Sequence, residues 1–217
     1  MRGIIVEISS KTALDFIMPR HYAGRKPQIS IAFGWYEQDD LKAVCTFGKP
    51  ASPPLCVGVC GEEHSKYVYE LNRLCRVDDW TEQLSQFVAY CLRKVSIKNW
   101  IVVSFSDTDM GHNGYIYQAC NFIYTGVTKE RTDKYTEGNK HCRHYDNTNQ
   151  GIFRKVRSAK HRYIYFATKD KQLKKQWIAN LNYKPQDYPK GVNKNYILGE
   201  FQSVKLIRVI STILKEV

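Results

Sequence analysis

The sequence predicts an α/β (α+β) fold built on a mixed sheet. Three stretches carry that prediction. Gln28 to Tyr36 alternates apolar residues with period two, and Leu84 to Val95 repeats them at helical spacing. Trp100 to Phe105 is almost wholly apolar, as expected of a central strand covered on both faces. The chain has 217 residues, 43% apolar and 25% charged, which excludes disordered, collagen-like and coiled-coil classes. No apolar run approaches the roughly 20 residues of a membrane-spanning helix, so no membrane contact is expected.

Each element follows from local pattern. Ile4 to Ile8 reads as a first strand, and Ser10 to Phe16 as a short helix capped by Ser10 or Thr12. Residues 18–27 form a loop fenced by Pro19 and Pro27. Gln28–Tyr36 and Leu41–Phe47 flank the turn Glu37-Gln38-Asp39-Asp40, which makes a hairpin. Residues 48–61, with Pro50, Pro53 and Pro54, read as a long irregular connection. In the strand Tyr67 to Val77, Val68, Glu70 and Asn72 alternate with Tyr69, Leu71 and Arg73. Asp78 or Asp79 then caps a helix over 80–96, which Asn99 ends. After the apolar strand, 106–114 is a polar loop and Tyr115 to Cys120 a short helix, with Asn121 as its left-handed stop. Phe122–Val127 and Arg162–Thr168 are strands, and Lys169–Asn180 is a basic helix. For Tyr196 to Val217 a strand pair and a helix both fit.

The net charge of +12 is unevenly placed. Residues 1–128 hold 13 basic and 13 acidic side chains, whereas 129–194 hold 17 and 6. A basic segment that also carries Tyr135, Tyr145, Phe153, Tyr163, Tyr165, Phe166, Trp177, Tyr183 and Tyr188 suits nucleic acid. Its cations grip phosphates and its rings stack on an unpaired base. A solvated lysine-rich face with tyrosines in the segment's own core accounts for the same pattern. The seven cysteines show no disulfide framework and no Cys-x-x-Cys pair, and the first seven residues lack a secretory core. An intracellular protein with free thiols is expected. His141-Cys142-Arg143-His144, with Cys60 or His64, offers only weak metal spacing, so no metal is expected. Residues 129–150 are read as a mobile loop that orders on DNA.

The densest chemistry lies between Ser104 and Gln118, at the carboxyl end of the apolar strand, where open α/β sheets bind ligands. Ser106, Asp107, Asp109, His112, Tyr115 and Tyr117 can supply a general base and a general acid. A capping loop with tyrosines in the core explains the same residues.

The order strand, helix, strand, short Tyr-bearing helix and Phe122 resembles the core of GNAT-type acyltransferases, with Tyr117-Gln118-Ala119-Cys120-Asn121-Phe122 as the matching phrase. Six phrases in order sharpen the match. They are residues 21–27, Glu70-Leu71-Asn72-Arg73-Leu74, Ser106-Asp107 with 111–119, Phe122-Ile123-Tyr124-Thr125-Gly126, residues 161–166, and Tyr188-Pro189-Lys190-Gly191. Together they are similar to the Mom proteins of bacteriophages, a divergent GNAT-like branch, over residues 18–191.

The resemblance implies a GNAT-like, mainly antiparallel sheet flanked by helices, with a catalytic core over 1–128. It implies a basic DNA-binding extension over 129–194 that completes the same domain; 195–217 remain a tail of open structure. It further implies a phage- or prophage-encoded transferase in the host cytoplasm. Such an enzyme places a methylcarbamoyl-type group on the exocyclic amine of adenine in double-stranded DNA and so blocks restriction. The adenine must be flipped out to react. On side-chain chemistry, Asp107, beside Ser106, would take the amine proton and Tyr117 would protonate the leaving group. Arg73 and His21 would hold donor or oxyanion, and Tyr22 would stack on the base; Tyr115 would only pack. Arg154, Lys155, Arg157, Lys160, His161 and Arg162 would grip the backbone. The donor would be acetyl-CoA or another acyl or carbamoyl compound held near Arg76 and Val77. The 76–85 loop nevertheless has no glycine and three acids, unlike the phosphate cradle of GNAT enzymes. Two other classes fit less of the sequence: an N-acyltransferase acting on a protein or small amine, and a non-catalytic DNA-binding protein.

Overall fold

The computed structural model describes residues 3–78, 80, 82–136, 153–192, 194 and 197–208. The first strand, β1 (Ile4–Ile8), leads into α1 (Ser10–Ile17). Its cap is Ser9, one residue before the expected pair, whose hydroxyl accepts from Thr12 N at 3.0 Å. The hairpin follows as β2 (Ile31–Glu37) and β3 (Asp40–Gly48). The stretch expected to be irregular contains α2 (Pro53–Cys60). Ser52 caps it and the prolines occupy its first turn, where no intrahelical N–H is needed. Next come β4 (Val68–Arg76), α3 (Leu84–Val95), β5 (Trp100–Asp107) and α4 (Tyr115–Ala119). Helix α3 starts four residues later than expected, capped by the backbone of Gln83 without a side-chain bond. Asn99 and Asn121 do adopt left-handed φ of 53° and 58° and end their helical turns.

The basic segment supplies β7 (Arg131–Lys134), β8 (Phe153–Arg157), β9 (Lys160–Ala167) and α5 (Lys171–Ala179), after β6 (Ile123–Val127). A short β10 (Leu206–Arg208) closes the described chain. Among the described residues the strands form two sheets. One has the order β1-β2-β3-β4-β5-β9-β6, and the other the order β10-β8-β7. The larger is mainly antiparallel; β4 and β5 pair in parallel. Strand β9 thus lies between β5 and β6, inside the same sheet as the first 128 residues.

Helices cover both faces. On one, Phe33, Trp35, Phe47, Leu71, Val102 and Tyr163 pack with Phe87, Val88, Cys91 and Leu92 of α3. On the other, Val68, Ile101, Val103, Ile164 and Phe166 pack around Trp177 of α5, and Ala13, Phe16 and Ile17 of α1 pack on Ala32, Val44 and Cys75. Tyr163, Phe166 and Trp177 are therefore core, not base-stacking faces, because each faces a covered side of the sheet. Of the aromatics in the basic segment, Phe153 and Tyr188 are exposed. Among the described residues six cysteines are free thiols, five of them buried. No helix among the described residues is long and apolar enough to cross a membrane.

Candidate active site

The site arises where two parallel strands part. Strands β4 and β5 pair from Val68–Ile101 to Leu71–Ser104, then stop, although β4 continues to Arg76 and β5 to Asp107. A cavity of about 570 Å³ opens between their carboxyl ends, a volume suited to a small molecule or a nucleobase. Its lining includes His21, Tyr22, Arg73, Ser106, Asp107 and Tyr117, six residues that the resemblance and side-chain chemistry had named. It also includes Glu70 and His112.

A β-bulge explains how Glu70 reaches it. Against β3, Leu71 pairs with Phe47 and Arg73 with Thr46, so Asn72 is an extra residue. Asn72 is pinned by Thr46 Oγ1, which donates to its Oδ1 at 2.6 Å, and donates in turn to Gln28 O at 2.7 Å. Plain alternation would put Glu70 and Arg73 on opposite faces of β4. The inserted residue brings both to the same face. Arg73 is fixed by donating to the carbonyls of Asn72 at 2.6 Å and Arg25 at 2.7 Å. Desolvation raises the pKa of Glu70, with Arg73 and Lys160 opposing in part. A carboxylate raised this way is a better proton acceptor near neutral pH.

Asp107 is different. Its carboxylate is 1% exposed and pairs with Lys160 Nζ at 2.5 Å. Desolvation alone would raise its pKa, but Lys160, Ser158 and the N–H of Asp109 outweigh it and hold the group below its ordinary value. A carboxylate held this way accepts a proton less readily near neutral pH than one raised by burial. Tyr117 stands against Ser104 and Tyr163, and burial pushes its phenol well above the ordinary range, so it is neutral and able to donate. Ser106 Oγ is buried with no hydrogen-bond partner among the described residues.

His21 and Tyr22 form the roof. Their rings stack at 4.5 Å, and Tyr22 meets the edge of His112 at 5.5 Å. The N–H of Ala23 donates to His21 Nδ1 at 3.1 Å, which leaves the proton of a neutral ring on Nε2. Burial, then the charges of Arg73, His112 and Lys160, lowers the His21 pKa from 6.5 to about 3. An unfolded chain takes up that proton near 6.5, so between the two values the unfolded state binds more protons. Stability is therefore expected to fall as pH drops through that window. Thermal unfolding at pH 7 and 4.5 checks this: His21→Gln should lose less stability between the two than the parent. Equal losses would remove His21 from the balance.

The model of the Mom protein family matches residues 3–190, almost the whole described part of the chain. This chain belongs to the Mom protein family. Methylcarbamoylase Mom of Escherichia phage Mu is 30% identical over 125 residues, which cover 55% of this chain and 52% of that protein. The match thus spans about half the length of that curated relative. Among solved structures, an N-acetyltransferase from Staphylococcus aureus Mu50 gives a TM-score of 0.49 at 11% identity, covering 77% of this chain and 100% of the other. A GNAT-family acetyltransferase from Bacillus cereus gives 0.44 at 9% identity, covering 76% and 98%. Neither likeness is close enough to bear on substrate.

In this Mom chain the other expected site residues divide. Lys155, Arg157 and Lys160 line the cavity. Arg154, His161 and Arg162 do not: Arg154 bonds Thr132, and His161 meets Tyr124 Oη at 2.9 Å. Arg162 lies 3.3 Å over the Tyr183 ring and bonds Thr125. Sequence proximity had grouped residues that the fold holds by different partners. Tyr115 is not a packing residue; it is 45% exposed, and its hydroxyl donates to Gly191 O.

Val77 packs with the apolar clusters, its N–H donating to Lys42 O at 2.9 Å, and does not line the cavity. Arg76 lines it, but its Nη1 is held by the carbonyls of Val77, Asp78 and Trp80. The guanidinium is thus taken up by backbone carbonyls, and carbonyl oxygens repel a diphosphate, so the described residues here do not fit that group. His141, Cys142 and His144 lie outside the described residues. Their suggested partners are engaged with α5 and its end: Cys60 Sγ donates to Trp177 O at 3.6 Å, and His64 Nε2 lies 3.2 Å from Asn180 Nδ2. Among the described residues no three His, Cys, Asp or Glu side chains are placed to hold a metal.

Proposed function

We propose that this Mom-family chain transfers a methylcarbamoyl-type group to the N6 amine of adenine in DNA, shielding the DNA from restriction. The observation that carries the reading is one cavity holding a raised carboxyl, Glu70, and a neutral phenol, Tyr117. The family and the phage Mu relative named as a methylcarbamoylase support the transfer. The basic cavity edge at Lys155 and Arg157 supports a polyanionic substrate.

The adenine N6 lone pair is delocalised into the ring, so the amine must lose a proton as it attacks. In the proposed step a flipped adenine lies beneath His21 and Tyr22. N6 attacks the donor's carbonyl carbon, Glu70 accepts the N6 proton, and the Arg73 guanidinium faces the developing oxyanion. The carbon–leaving-group bond breaks as Tyr117 gives its proton to the departing atom. Asp107 and Lys160 hold the floor of the site as a neutralised pair. The donor is an activated acyl or carbamoyl compound. Because the Arg76 guanidinium is taken up by backbone carbonyls, no step here depends on CoA. The extension beyond residue 128 would hold the DNA backbone through its cavity-edge cations.

The test is mass spectrometry of nucleosides from plasmid co-expressed with the full chain in a bacterial host. A deoxyadenosine heavier than the N6-methyl form is expected. Unmodified nucleosides from abundant folded protein would overturn the reading. Acylated lysines or small amines in the same cells would favour an ordinary N-acyltransferase.

A further inference from the structure

We infer that Lys194 and residues 197–208 form a strap that completes the cavity and adds a phosphate-binding subsite, with Lys194 and Lys205 acting beside Lys155 and Arg157. The inference deepens the proposed function and rests on it for the identity of the substrate. The strap lies beyond residues 3–190, so the family match does not cover it.

Every anchor of the strap lands on a segment that builds the site. The N–H of Lys194 donates to Gly111 O at 3.1 Å, in the loop that carries His112. The N–H groups of Gly199 and Gln202 donate to Arg20 O at 3.3 Å and Tyr22 O at 3.0 Å, on either side of His21. Val156 N donates to Lys205 O at 2.8 Å, and β10 continues the pairing, with Leu206 opposite Lys155.

Two glycines receive the strap's side chains. A Cβ on Gly24 would stand 2.9 Å from the Phe201 ring, and one on Gly111 would stand 3.0 Å from Lys194 Cδ. Both glycines have positive φ, 53° and 66°, so the backbone there is shaped as well as bare. The Lys194 stem is thus laid across Gly111, which fixes where its ammonium can reach.

The charge at this edge calls for an anion. Lys194 and Lys205 line the cavity together with Lys155 and Arg157. Asp133 offsets part of that charge through its 3.6 Å pair with Arg157. Lys155 is partly desolvated, and Arg157 and Arg25 repel its charge. A phosphate relieves that repulsion, whether it comes from the DNA backbone beside the flipped base or from a phosphorylated donor such as CoA.

The experiment uses the full chain and the Lys194→Gln/Lys205→Gln variant. A short duplex DNA and CoA are titrated separately over a range of salt. Both positions are exposed, and glutamine keeps most of the stem. If the subsite holds DNA, the variant's slope of log affinity against log salt should be shallower by about 1.8, two contacts at roughly 0.9 each, with CoA affinity unchanged. A loss confined to CoA would place the donor's phosphates there and still support the subsite. Unchanged binding and slope for both probes, or no binding of either by the parent chain, overturns the inference. Nucleoside analysis separates the two claims. A variant with the flatter slope in a system that never modifies adenine sinks the proposed function and keeps the strap. Full modification with unchanged binding sinks the strap alone.

Discussion

Glu70→Gln and Tyr117→Phe are each expected to lower the rate of adenine modification by about 10²–10⁴-fold, the usual cost of losing a general base or acid. Both substitutions keep shape. Glutamine fits where Glu70 sits but cannot accept the proton, and phenylalanine keeps Tyr117's ring against Phe122 and Tyr163 without its hydroxyl. The two losses differ in their pH behaviour. Desolvation raises Glu70's pKa, so the parent rate should climb with pH as that carboxyl ionises, and Glu70→Gln should erase the climb. Tyr117's pKa lies above the ordinary phenol range, so the alkaline fall should lie beyond the working range of the protein. Single-turnover rates across pH, with DNA affinity measured alongside, check both. A Glu70→Gln variant with full rate and an intact ascending limb would remove Glu70 from the chemistry. Tyr115→Phe is no silent control, because it cuts the hydroxyl bond to Gly191 that holds the segment leading to the strap.

Glu70 shows where sequence reading stops. It stood in the phrase Glu70-Leu71-Asn72-Arg73-Leu74, and the strand's alternation assigned it to the face opposite Arg73. The bulge at Asn72 reverses that assignment, and bulges depend on the partner strand, here Thr46 and Gln28, far away in the chain. Features set by neighbouring residues were legible. The hairpin over β2 and β3, the apolar β5, the stop at Asn121 and the acid-and-tyrosine loop at the end of β5 all declare themselves in a few consecutive residues. Features set by distant contact were not. Pro53 and Pro54 looked like a break and became a first helical turn because Ser52 caps it. Lys155 of β8 was assigned to the DNA backbone and Lys205 fell in a stretch left open between a strand pair and a helix; only the pairing of β8 with the chain around β10 brings both to the same cavity. His112 was in view as a loop residue, but its place beside Tyr22 depends on the fold of residues 19–24.

Lys160→Met is expected to destabilise the protein by about 3 kcal/mol, at the low end of the roughly 3–5 kcal/mol seen when one member of a buried pair is removed. The reason is asymmetric burial. Asp107's side chain is 1% exposed and cannot recover its solvation, whereas Lys160's is 31% exposed, so water replaces part of what the ammonium supplied. A surface lysine gripping phosphate would instead weaken DNA binding and leave the urea midpoint almost unmoved. Adding Asp107→Asn to Lys160→Met should restore much of the loss. The amide carries no charge to strand, and its oxygen can still accept from the N–H of Asp109, which now meets Asp107 Oδ1 at 3.1 Å. Urea unfolding of the two single variants and the double therefore gives a coupling energy, and a favourable coupling well above 1 kcal/mol marks the pair as structural. If Lys160→Met unfolds with the parent and only its salt-dependent affinity falls, Lys160 belongs with the DNA-contacting cations. In that case Asp107 would be free to take a proton, and the assignment of the base would pass back from Glu70 to Asp107.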